Sequence, residues 1–407
     1  MSLGSKFRSN FKDKNSEINI ALVGAGQMGQ GVISQVSKQE GMNLSLIIDR
    51  NEERLEEATL RYMKNKNFKP KVSKNIGTLN EIDVDIVIEA TGSPLAGATV
   101  ADFVLKQGID LILLNVETEA TIGLELKSIA EENGCIVTVG DGDEPVAAME
   151  LYNFANDLSF EVISIGKGKN NVFDKFSVPE DLITQAEQNR MSSKMLTSFV
   201  DGTKTMIEMT ALANAIGFSI DKKGMHGPDA TYEEINKIFI PKVDGGILSN
   251  SRVVDFAFGI APGVFSVVYS EDEYVNYEME YLKMGKGPYW TLYRPYHLTS
   301  LEIPRTIMHL AINKETLLSA NFYNVYVAAY AKRDINKGEK LDSIGGSFFY
   351  GVAVNRRDTK EYLPVGISEG AIALTSIKKG DPILLNQVNV EENIIYNMWN
   401  EQEEKLN

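Results

Sequence analysis

The sequence predicts an α/β protein, in which a doubly wound parallel sheet comes first, followed by an α+β domain and a small all-β module. Two observations carry this prediction. Apolar, strand-like runs alternate with helix-like segments over residues 18–146, and two similar short turns occur nearer the C-terminal end. Strands that alternate with helices form parallel sheets through right-handed crossovers. The chain has 407 residues, which is enough for two or three domains with separate cores.

The first strand-like run, residues 18–23, leads into Gly24-Ala25-Gly26-Gln27-Met28-Gly29. In this G-x-G-x-x-G pattern the first glycine permits a tight turn, the second lets the backbone approach a pyrophosphate, and the third lets a helix pack closely on the sheet. The N-terminus of that helix attracts phosphate charge. The next apolar run, residues 44–48, is followed by Asp49, where an acidic residue would bind a ribose hydroxyl. Together these features predict a Rossmann dinucleotide-binding domain.

Two adjacent residues of opposite charge bear on the choice of cofactor. Asp49 repels the 2′-phosphate of NADP and favours NAD, whereas Arg50 is long enough to bind that phosphate. These residues alone favour neither cofactor. The predicted cofactor-binding residues come from the glycine turn, from this pair and from the ends of later strands: Gly24, Gly26, Gln27, Met28, Gly29, Asp49, Arg50, Thr91, Gly92 and Asn115.

Three acidic residues, Asp141, Asp143 and Glu144, follow the strand predicted at residues 136–139. Ligands bind beyond the carboxyl ends of parallel strands, and Mg²⁺ or Mn²⁺ prefers carboxylate oxygens. One interpretation is therefore a divalent metal site. The other is that these acids cap the helix that follows, where the helix dipole favours negative charge. The sequence leaves both interpretations open.

A long helix is predicted over residues 192–216. At 100° per residue, its polar stripe consists of Lys194, Thr197, Asp201, Lys204, Thr205 and Glu208. The stripe is either a solvated face held by ion pairs or the wall of a cleft. In the second interpretation Lys204 polarises a carbonyl or takes a proton, and Asp201 and Glu208 tune its pKa.

Other segments offer cations for an anionic substrate. Residues 166–171 read Gly-Lys-Gly-Lys-Asn-Asn, which predicts a flexible loop whose two lysines, Lys167 and Lys169, hold an anion together with backbone N–H groups. In Arg294-Pro295-Tyr296-His297, Arg294 is suited to bind a phosphate or carboxylate, and His297 is suited to donate a proton. Lys194 is a further candidate for the anion. The alternatives are an exposed hairpin tip and a structural Arg-Tyr-His cluster.

Two similar turns lie in the C-terminal part, Ile335-Asn336-Lys337-Gly338-Glu339 and Ile377-Lys378-Lys379-Gly380-Asp381. A glycine after a polar pair suits a tight turn between short strands. We therefore predict a small all-β module over residues 323–395. The other predicted boundaries are a disordered tail at 1–16, the dinucleotide-binding domain at 17–146, a catalytic or substrate domain at 147–322 and a tail at 396–407.

The paired Ile-x-Lys-Gly-acid turns resemble the SAF, or β-clip, domain. With the glycine turn, Asn115-Val116-Glu117, the acidic segment 140–145 and the segments 201–204 and 294–297, nearly the whole chain resembles the homoserine-dehydrogenase-like SAF-domain oxidoreductases, some of which are DXR-like. The resemblance implies an NAD(P)H-dependent enzyme and favours NADP slightly. Members of the group are implicated in converting 1-deoxy-D-xylulose 5-phosphate to 2-C-methyl-D-erythritol 4-phosphate, a step of isoprenoid biosynthesis.

On this resemblance we expect Lys204, Glu117 and His297 to contact the substrate, and Arg294 and Lys167 to hold its anionic group. Homoserine dehydrogenases carry a lysine near the position of Glu117, so homoserine itself is a poor candidate substrate. Two alternatives remain. One is a simple dehydrogenase of a polyol, a sugar acid or a homoserine-like compound, and the other is a non-catalytic protein that binds a dinucleotide or a carbohydrate.

The composition limits the partners and the location that we expect. The net charge of −15 argues against nucleic acid and anionic membrane surfaces as partners. No segment has the length and hydropathy of a membrane span, and the polar N-terminal residues contain no secretory signal. Cys135 is the single cysteine, which suits a reducing cytosol. We expect a cytoplasmic homo-oligomer that acts on a small, anionic or phosphorylated molecule.

Overall fold

The computed structural model describes residues 1–14 and 17–406, and it divides the chain into two compact units. Unit 1 consists of Met1–Asp143, Leu298–Ser319 and Glu392–Asn407. Unit 2 consists of Glu144–His297 and Ala320–Glu391. The chain therefore leaves unit 1 and returns to it twice. Within the described residues, no helix is both long enough and apolar enough to cross a membrane.

In chain order the strands are β1 (Ile18–Val23), β2 (Met42–Ile48), β3 (Lys71–Ser73), β4 (Ile86–Glu89), β5 (Asp110–Leu113), β6 (Val137–Val139), β7 (Glu161–Lys169), β8 (Val253–Phe258), β9 (Val264–Tyr269), β10 (Tyr289–Arg294), β11 (Val325–Ala331), β12 (Phe349–Asn355), β13 (Ile372–Ala373) and β14 (Val388–Asn389). The α-helices are α1 (Leu3–Lys14), α2 (Gln27–Val36), α3 (Glu52–Met63), α4 (Pro94–Leu105), α5 (Val116–Glu132), α6 (Glu144–Asp157), α7 (Ile183–Gln188), α8 (Ser193–Val200), α9 (Thr203–Ile216), α10 (Ile235–Ile238), α11 (Glu273–Tyr281), α12 (Ile303–Asn313) and α13 (Ile394–Leu406).

The sheet of unit 1 is parallel throughout, with the strand order β3-β2-β1-β4-β5-β6. This is the order of a doubly wound sheet, in which the winding reverses between β1 and β4. Its central strands are nearly continuous apolar runs because both faces of such a sheet are covered. Ile20, Leu22 and Ile47 are accordingly fully buried. The parallel α/β fold that the sequence predicts is confirmed.

Helices occupy both segments that the sequence predicted as tails. In α1, Phe7 is buried in the apolar core of unit 1. In α13, Ile395, Met398 and Trp399 are buried. The tail predictions are therefore wrong over α1 and α13. Both segments are rich in polar residues, and the few apolar residues that recur at helical spacing were overlooked. The predicted tails also include residues 15–16 and 407, which lie outside the described residues.

Helix α5 is kinked, and a side chain of the C-terminal helix α13 forms hydrogen bonds at the kink. Ile122 has φ −133° and ψ 20°, which are not helical values. Gln402 of α13 bonds the backbone groups beside this kink. Its Oε1 accepts the N–H of Leu124 at 3.1 Å, and its Nε2 donates to the carbonyl of Thr121 at 3.1 Å. Kinks of this kind occur where a side chain inserts into the helical hydrogen-bond ladder.

Unit 2 is built on a mixed sheet with the order β10-β9-β7-β8. Strand β7 pairs in parallel with β8 and antiparallel with β9, so it is a central strand. Because β7 contains residues 166–169, the prediction of a flexible loop there is wrong. A side chain at Gly166 would overlap the carbonyl oxygen of Asp255, and one at Gly168 would overlap the backbone of Ala261. These glycines therefore permit close backbone approach inside a sheet rather than flexibility.

The helix predicted over residues 192–216 is interrupted in the structure. Asp201 and Gly202 separate α8 from α9, and Gly202 has a φ of 86°. Glycine adopts this left-handed conformation without the steric cost that a side chain imposes. The structure therefore has two helices where the periodicity predicts one. Lys194 and Thr197 lie on α8, whereas Lys204, Thr205 and Glu208 lie on α9.

The C-terminal part of unit 2 contains the antiparallel pairs β11–β12 and β13–β14. The two similar turns bond reciprocally. The N–H of Gly338 donates to the carbonyl of Ala373 at 2.7 Å, and the N–H of Gly380 donates to the carbonyl of Ala331 at 2.8 Å. Ile335 and Ile377 exchange two hydrogen bonds of 2.9 Å. The two repeats are thus related by a local pseudo-twofold arrangement.

Candidate cofactor and catalytic sites

The glycine turn of unit 1 has the geometry that a dinucleotide needs. Gly24 has a φ of 101°, and a Cβ atom there would lie 2.6 Å from the carbonyl carbon of Ala90. A Cβ atom on Gly29 would overlap the carbonyl oxygen of Gly24. On Gly26, by contrast, a Cβ atom would meet only Nη1 of Arg54, at 3.9 Å. Gly24 and Gly29 are thus required by the protein's own packing, whereas Gly26 leaves room for a ligand.

Helix α2 begins at Gln27 and continues through Met28, and its N-cap residue Gly26 makes no side-chain cap. Donors in the first turn of a helix have no partner within the helix, and the helix dipole favours negative charge there. A pyrophosphate satisfies both conditions. The cradle therefore fits the predicted cofactor.

Asp49 lies directly after β2 and is held against the glycine turn. Its Oδ2 accepts the N–H of Ala25 at 2.7 Å, and its Oδ1 accepts the N–H of Asn51 at 2.8 Å. These bonds fix the carboxylate at the edge of the cradle. Arg50 is exposed, and the guanidinium of Arg54, which was not among the predicted residues, lies beside Gly26.

The ends of β4 and β5 hold the other predicted cofactor residues. Gly92 has a φ of 74°, and a Cβ atom there would meet nothing within 4 Å. Asn115 donates from Nδ2 to the carbonyl of Ser93 at 2.9 Å and caps α5 through its Oδ1. Glu117 lies half-buried in the first turn of α5. A carboxylate at this helix position is favoured by the dipole, so Glu117 has a structural reason to be there.

Glu89, the last residue of β4, is fully buried and was not predicted as a site residue. Burial raises the pKa of Glu89 to about 7, although hydrogen bonds from Thr91 and Asn115 lower it. Its Oε1 accepts the N–H of Thr91 at 2.7 Å and also the Thr91 hydroxyl. The signal in the sequence is an acid at the end of an apolar strand, a position where ligands bind in parallel sheets.

In unit 2, a group of charged side chains is assembled from β7, α6, α9 and the residues after β10. Lys167 Nζ donates to Glu144 Oε1 at 2.6 Å and also to Glu208 Oε2. Lys204 Nζ lies 3.9 Å from Glu208 Oε1. His297 Nε2 lies 3.4 Å from Glu144 Oε1. We refer to Lys167, Glu144, Glu208, Lys204 and His297 as the ion cluster.

Lys167 and Glu208 are buried, the other members of the ion cluster are partly buried, and the groups perturb one another. Burial alone would lower the pKa of Lys167, but Glu144 and Glu208 outweigh that effect and raise it. Burial and repulsion by Glu144 raise the pKa of Glu208, while Lys167 and Lys204 lower it. Lys167 therefore keeps its charge, and the Glu208 carboxyl binds a proton more readily than an exposed glutamate does.

Lys169, two residues after Lys167, was predicted to lie with it on a flexible anion-binding loop, but it is the last residue of β7. Strand alternation puts both lysines on the same face of the sheet. Burial lowers the pKa of Lys169 to about 8, and repulsion from Lys167 acts in the same direction. Its Nζ donates to the carbonyl of Phe199. A lysine that titrates in this range is suited to proton transfer.

The remaining predicted residues of unit 2 have local partners. Asp201 is fully buried, pairs with Lys332 at 2.9 Å and accepts the N–H of Thr203 at 2.8 Å. Arg294 pairs with Glu150 at 2.7 Å. Lys194 donates to the hydroxyl of Ser343 at 3.0 Å. Asp201 therefore closes the turn before α9, and the structure does not bring it into the ion cluster.

The predicted metal ligands are also engaged. In unit 1, Asp141 pairs with Arg305 at 3.0 Å and its N–H donates to the hydroxyl of Thr306 at 2.8 Å. Asp143 is the last residue of the first segment of unit 1, and Glu144, the first residue of unit 2, pairs with Lys167. A metal ion held by Asp141 and Glu144 would have to compete with these cations. The metal site stays a prediction.

Two family models match the chain. Residues 24–140 match the NAD-binding domain of homoserine dehydrogenase, and residues 142–303 match the catalytic domain of the oxidoreductase DRL. None of the curated protein sequences matches the chain.

Several solved structures are similar at low identity. GenD2 from gentamicin A biosynthesis, in complex with NAD, is 13% identical over 74% of this chain and 88% of that chain, with a TM-score of 0.41. A probable dehydrogenase from Thermotoga maritima is 15% identical over 74% and 90%, with a TM-score of 0.43. Dipicolinate-bound dihydrodipicolinate reductase from Paenisporosarcina sp. TG-14 is 15% identical over 73% and 95%, with a TM-score of 0.37. Likeness at this level carries no argument about function.

The two family models confirm the predicted nicotinamide cofactor and the predicted reaction class, and they set aside the non-catalytic alternative. The chain is an NAD(P)-dependent oxidoreductase, with an NAD-binding domain of the homoserine dehydrogenase type followed by a catalytic domain of the DRL type.

Proposed function

We propose that this oxidoreductase reduces a carbonyl group of a small, anionic substrate that binds at the ion cluster of unit 2. The observation that carries the proposal is the cluster itself. Burying several charged groups together costs folding free energy that an apolar core of the same volume would not cost. Buried charges with perturbed pKa values are common at catalytic sites for that reason. The cluster lies within the residues matched by the oxidoreductase catalytic domain.

Lys204 is the residue that we assign to the substrate carbonyl. Its side chain is 15% exposed, against 7% for Lys167, and its ammonium lies farther from Glu208 than that of Lys167 does. An ammonium group stabilises the negative charge that develops on a carbonyl oxygen during reduction. The Glu208 carboxylate lies beside the Lys204 ammonium and favours its charged form. Lys167 pairs with both Glu144 and Glu208 and so offsets the repulsion between them.

Proton supply is assigned to His297. Its Nδ1 lies 2.8 Å from the carbonyl of Pro262, which fixes the ring, and its Nε2 faces Glu144. A histidine held in this way can give a proton to the alkoxide oxygen as it forms. The nicotinamide, when bound, supplies the hydride.

The test measures NADPH and NADH oxidation by the full chain with 1-deoxy-D-xylulose 5-phosphate and with a panel of sugar acids and polyol-derived ketones. We expect Lys204→Met to lower kcat by about 10²–10⁴-fold, with the Kd for NADPH unchanged. Lys237→Met, which removes an exposed lysine from α10, is the matched control. Turnover of Lys204→Met within a factor of three of the control would remove Lys204 from the mechanism.

The narrower form of the proposal is reductoisomerisation of 1-deoxy-D-xylulose 5-phosphate, which the resemblance described above supports. Formation of the branched polyol phosphate distinguishes it from simple reduction by a dehydrogenase, which leaves the carbon skeleton intact. We derive no step through a metal ion. Adding Mn²⁺ and then a chelator tests that choice, because activity that requires the ion would show that the reaction uses one.

We further propose that NADP is the preferred cofactor. Arg54 beside Gly26 and the exposed Arg50 offer two guanidinium groups near Asp49, and guanidinium binds phosphate through paired hydrogen bonds. We expect Arg54→Ala to weaken NADPH binding about tenfold and to leave NADH binding within a factor of two, as measured by nicotinamide fluorescence. Equal losses for the two cofactors would assign Arg54 to the pyrophosphate instead.

Further expectations stay part of the proposal. The reciprocal bonds between the turns around Gly338 and Gly380 support an SAF-type module. A homo-oligomer is tested by light scattering on the purified chain. Cytoplasmic location is supported by Cys135, which is a buried free thiol.

A further inference from the structure

A group of lysines that are not part of the ion cluster lies over aromatic rings in unit 2. Lys379 Nζ lies 4.1 Å and Lys175 Nζ 5.1 Å from the centre of the Phe176 ring, and Lys175 also lies 5.9 Å from the centre of the Tyr350 ring. Lys223 Nζ lies 5.1 Å from the centre of the Tyr330 ring. We refer to this surface as the lysine face, which consists of Lys175, Lys223 and Lys379 over Phe176, Tyr330 and Tyr350.

The rings form one continuous floor beneath these ammonium groups. The ring centres of Phe176 and Tyr350 are 5.8 Å apart, and those of Tyr350 and Tyr330 are 5.9 Å apart. Tyr330 and Tyr350 are buried, whereas all three lysines are exposed. Each ammonium is thus held by the negative face of a ring, and its other side faces solvent.

The positive charge of the lysine face is not neutralised by the protein. Within the described residues, no carboxylate forms an ion pair with the ammonium of Lys175, Lys223 or Lys379. The neighbouring lysine, Lys378, does pair with Asp334, at 2.8 Å. Lys175 and Lys379 lie over the same ring, that of Phe176, so two of these cations are close together in a chain with a net charge of −15. Like charges repel, so an anion would relieve the repulsion among them.

We propose that the lysine face binds the phosphate group of a phosphorylated small molecule. A phosphate monoester carries close to two negative charges and three acceptor oxygens, which matches several ammonium donors better than a carboxylate does. The phosphate belongs either to the substrate or to a separate effector, and the chemistry of recognition is the same. This proposal rests on the residues of the face and not on which carbonyl compound the enzyme reduces.

The binding test uses the full chain at low ionic strength, with glycerol 3-phosphate as the probe and isothermal titration calorimetry as the measurement. We expect saturable binding that weakens about tenfold for each of Lys175→Gln and Lys379→Gln and that weakens further as salt is added. Lys379→Arg keeps the charge and should keep most of the affinity. The matched control is Lys378→Gln, which removes the same charge from the adjacent position and should change the affinity less than twofold.

The outcomes separate the source of the phosphate from the existence of the site. If Lys175→Gln and Lys379→Gln raise the KM for a phosphorylated substrate and glycerol 3-phosphate competes with it, the face holds the substrate's phosphate. If glycerol 3-phosphate binds without changing KM, the ligand is a separate effector. Absence of saturable binding by the unaltered chain, or an equal loss in the Lys378→Gln control, would overturn the proposal. The thermal unfolding curves of the variants should match that of the unaltered chain, because these side chains are exposed.

Discussion

The candidate cofactor site of unit 1 is built mainly from backbone groups, whereas the ion cluster of unit 2 is built from charged side chains. In unit 1, the glycine turn and the start of α2 offer N–H donors, and their positions follow from the steric demands of Gly24 and Gly29. In unit 2, residues far apart in the chain converge to form the ion cluster. A backbone site needs a local pattern of small residues. A site built from side chains needs the tertiary fold, and burying its charges lowers the stability of the folded state.

The largest expected effect is the loss of the cation that unites the ion cluster. Lys167→Met leaves Glu144 and Glu208 close together without their shared partner. We expect the free energy of unfolding of unit 2 to fall by about 3–5 kcal/mol. The chain has two tryptophans, Trp290 in unit 2 and Trp399 in unit 1. Urea unfolding followed by Trp290 fluorescence in a Trp399→Phe background therefore reports on unit 2.

The double variant Lys167→Met/Glu208→Gln sharpens this test. It removes one positive and one negative charge, so it should be more stable than Lys167→Met alone. If the two variants were equally unstable, the loss would come from packing, and the description of unit 2 as a unit held by buried charge would be incorrect.

The second-largest expected effect is a pH-dependent change in the free energy of unfolding, on the order of 3 kcal/mol, caused by Glu89 in unit 1. The unfolded carboxyl ionises near its ordinary pKa of 4.5, whereas the folded one keeps its proton up to about 7. The native state therefore binds more protons between these pH values, and its free energy of unfolding falls as pH rises through that range. Glu89→Gln should abolish this fall and be the more stable protein at pH 8.

The measurement compares Glu89→Gln with the unaltered chain at pH 5 and pH 8, using Trp399 fluorescence in a Trp290→Phe background. A stability difference between the two proteins that stayed constant with pH would contradict the raised pKa.

A smaller loss, about 2 kcal/mol, is expected for Gln402→Ala. This change leaves the N–H of Leu124 and the carbonyl of Thr121 without their side-chain partner at the kink of α5. The same Trp399 signal measures the loss. Gln402→Glu, which keeps the acceptor but loses the amide donor, should be intermediate in stability. If Gln402→Ala unfolded like the unaltered chain, water would be replacing the side chain.

The smallest stability effect is expected for Gly26→Ala, within about 0.5 kcal/mol, because Gly26 has an ordinary negative φ of −71° and space for a methyl group. Its NADPH affinity should fall at least tenfold, since the methyl group occupies the space of the pyrophosphate. Gly24→Ala is the contrast. There the φ of 101° and the contact with Ala90 predict a loss of stability as well. Unchanged affinity in Gly26→Ala would move the dinucleotide away from this turn.

The same contrast explains how much the sequence predicts. The parallel sheet and the glycine turn are local patterns, so they can be predicted without knowing the fold. The charged stripe of residues 192–216 is harder, because Gly202 breaks the helix and Asp201 turns to Lys332. Lys167 was predicted to hold an anion on a loop, but it lies in a central strand between two glutamates. Only tertiary pairing decides whether a Gly-Lys-Gly-Lys segment is an exposed turn or a buried strand.

Glu89 and Lys169 show a second reason why the sequence alone does not predict the whole site. Each is a polar residue within or at the end of an otherwise buried strand, and its chemistry depends on how far the surroundings exclude water. Burial of a given side chain is a property of the assembled unit, and a single sequence does not encode it in a local motif.

The return of the chain to unit 1 has a consequence for how the protein is made. Helix α13 is synthesised after all of unit 2, yet its Gln402 completes the kink in α5. During synthesis on the ribosome, α5 therefore lacks its hydrogen bonds to Gln402 until all of unit 2 has been made. Domains that close only through late, distant contacts fold slowly and expose apolar surface in the meantime. A premature stop codon before α13 would thus damage the nucleotide-binding unit while leaving unit 2 with all its residues.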